Sequence, residues 1–248
     1  MKEEYIEDVS AIITSGLSLA VGLGFNVSQE AATILGSCAP IVQRSISRVL
    51  TVFNGKSYSR IEGARLGICY DSIVESIRRN EAANHRRNEA FFSQEFSYGK
   101  IDEVAEAVLR AAMDDSQNIK ARLYGRLLGN ALYQTKYDES SLFLLLRIAK
   151  QLSFDELCLL AVLNDLPTRN YEALARVDDK RAEILVNMLN LKGLGLVKRM
   201  PPFLLGATLD NLQVSAMGKD LYSLMDLQEL DSNEVSSLGQ LLDTYLAG

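Results

Sequence analysis

The chain has 248 residues, an ordinary apolar content of 48%, a charged content of 23% and a formal net charge of −6. This composition is that of a globular protein and disfavours disorder over most of the length, while the acidic balance disfavours general binding to phosphate backbones. Three scattered cysteines and a single histidine supply neither a structural zinc site nor a disulfide framework. We therefore expect no metal and no cofactor. The acidic N-terminus lacks the positive leader of a secretion signal, which favours a cytoplasmic location.

Residues 1–55 are predicted to form an apolar helical hairpin. No charged residue occurs from Val9 to Gln29, and a second apolar stretch follows at Ala31–Val42. A membrane span needs about 20 predominantly apolar residues, and glycines interrupt the first stretch. The pattern favours a helix pair buried in the body, with a membrane-inserting element as the alternative. Insertion would use the apolar side chains of Ile12, Ile13, Leu17, Leu19, Val21 and Leu23.

Residues 56–151 are predicted to form an α-helical body. Apolar residues recur at spacings of two to four residues over Arg60–Asn84, as on the buried face of a helix. Three further helices are predicted at Ile101–Gln117, Ala121–Leu132 and Ser141–Gln151. The last contains an almost continuous apolar run, which is typical of the centre of a helical bundle.

One pattern with catalytic chemistry lies at the end of the first of these helices. Arg79-Asn80 followed by His85 has the form Arg-polar-x4-His. A histidine can act as general base or acid near neutral pH, and an arginine can stabilise the charge that develops on a phosphorane. The pattern resembles the Arg-x4–6-His signature of HEPN-type ribonucleases, all-α proteins that cleave RNA without metal in a composite dimeric site. This resemblance implies Arg79 and His85 as catalytic residues; the alternative interpretation is a basic, solvated helix end.

Residues 152–248 are predicted to form a separate domain with an acidic helical tail. Ser153 and Glu156 have the spacing of a capping box before an apolar helix. A later helix runs from about Lys180 to Leu191, and Gly193 and Gly195 are expected to end it by supplying the positive φ of a helix C-terminus.

Two short strands and a helix are predicted next. The strands are Leu194–Arg199 and Asn211–Ser215, and the helix begins after Ser215 with the pattern Ser-x-x-Gly-x-x-Leu. This order of helix, strand, wing, strand and helix resembles the winged-helix superfamily over about 75 residues. The resemblance implies a C-terminal winged-helix domain with a small β-wing, whose third helix enters the DNA major groove in many relatives.

The residues of this domain leave two uses open. DNA binding would engage four residues at or near the third helix, Lys180, Arg181, Asn187 and Lys192. The wing, Met200–Asn211, has no basic residue and is apolar at Phe203, Leu204 and Leu205. An apolar wing favours contact with a protein partner over contact with DNA.

The whole sequence therefore predicts a mainly α fold, with a helical bundle body followed by a winged-helix domain. The region Asp102–Leu163 looks similar to uncharacterised bacterial proteins, some of them associated with phage-defence or mobile-element loci. We expect a non-enzymatic interaction or regulatory subunit of such a system, with a protein partner or a second copy of itself. The alternatives are a HEPN-like ribonuclease, a membrane-acting effector and a DNA-binding regulator, so RNA, DNA and membranes remain open as partners.

Overall fold

The computed structural model of the chain describes residues 45, 60–83, 85, 100–165, 187, 190–199 and 212–230. The described residues are mainly helical, which confirms the predicted fold class at that level. The chain divides into two compact units, Met1–Leu146 and Arg147–Gly248. The predicted hairpin of residues 1–55 lies outside the described residues, apart from Ser45, a buried helical residue whose hydroxyl donates to the Asp102 carbonyl oxygen at 3.3 Å.

The described part of the first unit consists mainly of helices. They are α1 (Arg60–Ala82), α2 (Lys100–Asp114), α3 (Asn118–Ala131) and α4 (Glu139–Gln151), and the division between the two units falls within α4. The most extensive packing is between α1 and α3, and α2 contacts both. Apolar side chains from all three helices are almost completely buried, so this contact forms the core of the unit.

Small residues set the close approach of α1 and α3. A Cβ atom added to Gly125 would collide with the Cys69 carbonyl oxygen and would lie 2.8 Å from the Ser72 Cβ. One added to Gly129 would lie 2.6 Å from the Ser76 Cβ. Because residue numbers rise together along this contact, the two helices run in the same direction. The glycines let the two backbones approach directly.

The turn between α2 and α3 is organised by a buried ion pair. Lys120 is only 3% exposed, and its Nζ lies 2.7 Å from Asp115 Oδ2, which also accepts a hydrogen bond from the Tyr124 hydroxyl at 2.7 Å. The other carboxylate oxygen accepts the Gln117 backbone N–H at 3.0 Å. The Asp115 carboxylate thus holds the first two turns of α3 against the preceding loop.

We expect Asp115→Asn to destabilise the chain by about 1–2 kcal/mol at neutral pH, because charge-assisted hydrogen bonds are lost. Burial would raise the pKa of Asp115, but hydrogen bonds from Lys120, Gln117 and Tyr124, with the Lys120 charge, lower it overall. A lowered folded-state pKa means that the carboxylate stabilises the fold above its unfolded-state pKa of about 3.9, and that this contribution is lost as the pH falls through the folded-state value.

The difference in unfolding free energy between wild type and Asp115→Asn should therefore be largest near neutral pH and shrink as the pH falls towards about 2. Urea denaturation of both proteins at several pH values between about 2 and 7 measures this difference. The exposed neighbour Asp114, changed to asparagine, is the matched control. If this difference in unfolding free energy stays constant with pH, Asp115 does not have the lowered folded-state pKa described above.

In its described residues, the second unit combines helices with one short strand pair. Its elements are α5 (Phe154–Asp165), β1 (Val197–Arg199), β2 (Leu212–Val214), α6 (Ala216–Leu224) and a 3₁₀ turn at Leu227–Glu229, and residues 190–193 are also helical. The strands are antiparallel, with Val197 opposite Val214 and Arg199 opposite Leu212. Helices α5 and α6 both contact β2.

The predicted capping box at the start of α5 is confirmed. The Glu156 backbone N–H donates to Ser153 Oγ at 3.2 Å, and the Ser153 N–H donates to Glu156 Oε2 at 2.7 Å. Glu156 is 5% exposed, and its second oxygen accepts from Asn190 Nδ2 at 2.7 Å. One carboxylate thus caps α5 and ties the later helical segment to it.

The helical segment before β1 ends in a Schellman motif. Leu196 N–H donates to the Leu191 carbonyl at 2.9 Å, and Gly195 N–H donates to the Lys192 carbonyl at 3.0 Å. Gly195 supplies the positive φ of 74° that this motif needs, as predicted. The same prediction for Gly193 was wrong, since Gly193 is still helical and the motif uses one left-handed residue.

Ser215 joins the strand pair to α6. As predicted, it is the N-cap of the helix, where its Oγ accepts the Gly218 N–H at 3.0 Å. The same hydroxyl donates to the Gly195 carbonyl at 2.7 Å. A Cβ at Gly218 would collide with the Leu196 carbonyl oxygen, so the Ser-x-x-Gly spacing lets α6 pack directly on the start of β1.

Candidate acid–base site

Two backbone hydrogen bonds close the C-terminal end of α1. The His85 backbone N–H donates to the Asn80 carbonyl at 2.9 Å, and the Ala83 N–H donates to the Arg79 carbonyl at 3.0 Å. A hydrogen bond that spans five residues is the closure seen at many helix C-termini. It places a residue just outside the helix beside the residue five positions earlier, which explains why the polar-x4-His spacing brings Asn80 and His85 together.

The side chains of these two residues are also in contact. His85 Nδ1 lies 2.7 Å from Asn80 Oδ1. Asn80 Nδ2 donates to the Ser76 carbonyl oxygen at 2.8 Å and to Asn130 Oδ1 at 2.9 Å. His85 is therefore held to Asn80 by one backbone and one side-chain hydrogen bond, and Asn80 is in turn held by α1 and α3.

This chain of hydrogen bonds fixes the tautomer of His85. A backbone carbonyl can only accept, so the Asn80 atom that faces the Ser76 carbonyl must be the amide nitrogen. The Asn80 atom that faces His85 is then the oxygen, and His85 Nδ1 must carry the proton that it donates. In a neutral imidazole the second nitrogen, Nε2, is consequently an acceptor and can take up a proton.

An open cleft of about 540 Å³ adjoins the pair. It is lined by Asn80, His85, Tyr133, Gln134 and Thr135. His85 and Thr135 are exposed, whereas Tyr133 is buried and donates from its hydroxyl to Glu81 Oε1 at 3.1 Å. The cleft is open to solvent, so the exposed ring of His85 can be reached from solution.

Arg79 lies on the last turn of α1, next to Asn80. It is half-buried, and its Nη2 donates to Ser76 Oγ at 3.2 Å. Ser76 therefore contacts both residues, with its hydroxyl on Arg79 and its carbonyl on Asn80. Of the predicted pair, His85 lines the cleft, whereas Arg79 is not among the described residues that line it.

Few of the residues predicted for the C-terminal domain fall in the described part of the chain. Asn187 is helical and half-buried, and Lys192 is an exposed helical residue. Asn190, which lies in the same predicted helix, donates its amide to Glu156 and so serves the packing of the unit. The other predicted site residues lie outside the described residues: Lys180, Arg181, Phe203, Leu204, Leu205, Ile12, Ile13, Leu17, Leu19, Val21 and Leu23.

Comparison of the chain with protein-family models, curated proteins and solved structures gave no match. Among the described helices, none combines the length and the apolar character that crossing a membrane requires. The resemblances to winged-helix proteins and to HEPN-type ribonucleases stay predictions, as does the cytoplasmic location.

Proposed function

We propose that the chain cleaves RNA without a metal ion, with His85 as general base and acid. One observation carries this proposal: Asn80 holds the Nδ1 side of the only histidine, in an open cleft, so that Nε2 is the nitrogen that exchanges protons. An imidazole whose tautomer and orientation are set by a neighbouring side chain is the usual arrangement of a histidine in acid–base catalysis.

The reaction that fits this arrangement is an attack within the RNA backbone. His85 Nε2 takes the proton of a ribose 2′-hydroxyl, and the 2′-oxygen forms a bond to the adjacent phosphorus. The bond between phosphorus and the 5′-oxygen breaks, and the imidazolium or water returns a proton to that oxygen. The products are a 2′,3′-cyclic phosphate and a free 5′-hydroxyl.

Arg79 is the residue that would stabilise the negative charge of the phosphorane. Arg79 is not among the described residues that line the cleft, so we propose that it reaches the phosphate in a site completed by a second copy, where its guanidinium group would bind phosphate oxygens. The resemblance to HEPN-type ribonucleases implies a site shared between two copies of the chain. In that arrangement each copy would bring its own Arg79 and His85 to one RNA strand.

The proposal is tested by incubating end-labelled single-stranded RNA with the purified chain in the presence of EDTA. We expect fragments that end in a 2′,3′-cyclic phosphate. A DNA strand of the same sequence should stay intact because it lacks the attacking hydroxyl. RNA left uncut by the folded chain, or DNA cut equally fast, would contradict the proposal.

A second candidate function, an interaction or regulatory subunit, is favoured by the strand pair of the second unit. Strands β1 and β2 are antiparallel and are followed by α6, with Ser215 bonded to both the turn and the helix. This order supports a winged-helix domain. The segment between the strands contains Phe203, Leu204 and Leu205, which suit a protein surface better than DNA.

We expect the variant with Phe203, Leu204 and Leu205 changed to serine to lose a protein partner that co-purifies stoichiometrically with the wild-type chain from its own host. Mass spectrometry of the two preparations makes the comparison. The matched control changes Lys180 and Arg181 to alanine and should keep the partner. Loss of bound DNA from that control, with no protein partner in any preparation, would instead indicate a DNA-binding regulator.

A further inference from the structure

We infer that Asn130 of α3 is a positioning residue that holds His85 in the Nδ1-protonated tautomer by way of Asn80. The effect of Asn130 on catalysis rests on the proposed function, whereas its effect on the His85 tautomer does not. Asn130 is a polar residue only 7% exposed, and its Oδ1 accepts from Asn80 Nδ2 at 2.9 Å. No other side chain of α3 is bonded to Asn80 among the described residues.

The packing of the two helices sets this contact. Asn130 directly follows Gly129, the residue that brings α3 against Ser76 of α1. Ser76 is one turn before Asn80, so the closest approach of the helices lies beside the hydrogen bond between the two asparagines. The position of Asn130 is therefore determined by backbone packing.

The two acceptors together prevent the Asn80 amide from flipping. An amide nitrogen has two hydrogens, and in Asn80 one goes to the Ser76 carbonyl and the other to Asn130. A flipped amide would lose both bonds, would set its oxygen against the Ser76 carbonyl oxygen, and would require Asn130 to turn its own amide as well. Without Asn130, a flip would cost only the bond to Ser76, and the amide nitrogen would then face His85.

The orientation of Asn80 decides which nitrogen of His85 is the base. With the Asn80 oxygen towards the ring, Nδ1 carries the proton and Nε2 accepts. With the amide nitrogen towards the ring, Nδ1 would have to accept and Nε2 would carry the proton. The second state removes the base that the proposed reaction needs. Asn130 thus acts on the chemistry of a residue that it does not touch.

The experiment is ¹⁵N NMR of the imidazole in the uniformly labelled full chain, at a pH where the ring is neutral. Because the chain has a single histidine, the ring signals need no assignment by mutation. We expect the protonated, pyrrole-type signal at Nδ1 and the pyridine-type signal at Nε2. A wild-type spectrum with the proton on Nε2 would overturn the inference whatever the variants do.

Asn130→Ala should shift the population towards the Nε2-protonated form, and Asn130→Asp should restore the wild-type pattern because a carboxylate oxygen still accepts from Asn80. A merely structural role for Asn130 predicts no such rescue. Equal tautomer populations in wild type and Asn130→Ala would overturn the inference.

RNA cleavage by the same variants separates the two proposals. We expect Asn130→Ala to slow cleavage by roughly tenfold to a hundredfold, as misplaced catalytic groups do, and Asn130→Asp to cleave nearly as fast as wild type. If the tautomers behave as expected but no variant cuts RNA, the proposed function fails and the positioning role stands. If RNA is cut while wild-type His85 is protonated at Nε2, the positioning role fails alone.

Discussion

Gly125→Ala is expected to lower the unfolding free energy of the chain by about 1–3 kcal/mol, the cost of overpacking a tight interior. The added methyl group would collide with the Cys69 carbonyl oxygen and lie 2.8 Å from the Ser72 Cβ. A carbonyl inside a helix cannot rotate away, so α1 and α3 must separate along their contact. Alanine also has a better helix propensity than glycine by about 1 kcal/mol, which offsets only part of this loss.

The matched control is Gly63→Ala, the same substitution in α1. Among the described residues, no atom lies within 4 Å of a Cβ added at Gly63, so the gain in helix propensity is the effect expected there. We expect this variant to be more stable than wild type by up to about 1 kcal/mol. Urea denaturation followed by circular dichroism measures both. A lower unfolding free energy for Gly125→Ala together with a higher one for Gly63→Ala would support the packing argument. A Gly125→Ala protein as stable as wild type would contradict it.

The helix contact also links stability to the candidate site. A Cβ at Gly129 would lie 2.6 Å from the Ser76 Cβ and 3.0 Å from the Ile73 carbonyl oxygen. The residue after Gly129 is Asn130, which holds the amide of Asn80. A larger residue at position 129 would therefore disturb the site as well as the core.

Local signals in the sequence predicted much of the helical structure. The capping box of Ser153 and Glu156 and the N-cap Ser215 were confirmed because such caps depend on residues three positions apart. The predicted helix Ile101–Gln117 was too long. The helix ends at Asp114 because the Asp115 carboxylate accepts the Gln117 N–H, which starts a turn of the kind that aspartate favours.

The sequence predicted only those residues of the candidate site that lie close together along the chain. The Arg-polar-x4-His pattern pointed to Arg79 and His85, and the helix closure between positions 80 and 85 accounts for the spacing. Asn130 and Tyr133 come from a segment about 50 residues further along the chain. Their place follows from the parallel packing of α1 and α3, which no spacing within one segment encodes.

His85→Ala is expected to lower the rate constant of RNA cleavage by about 10²–10⁴-fold, the usual contribution of a general acid or base. The reason is that alanine leaves no group in the cleft to take the proton of the 2′-hydroxyl. His85 is exposed, so its loss should change the unfolding free energy by no more than about 1 kcal/mol, the net contribution of its side-chain hydrogen bond to Asn80. Single-turnover cleavage in EDTA measures the rate constant.

Two further variants show whether a slower cleavage rate reflects the loss of proton transfer, the loss of RNA binding or a contaminating nuclease. His85→Gln keeps a hydrogen-bonding side chain but cannot exchange protons, so it should be nearly as slow as His85→Ala. Arg122→Ala removes an exposed positive charge on α3 away from the residues that line the cleft, and should cleave like wild type. A contaminating nuclease would give the same activity in all preparations. Equal rates for wild type and His85→Ala would therefore remove the ribonuclease proposal and leave the interaction subunit as the function to test.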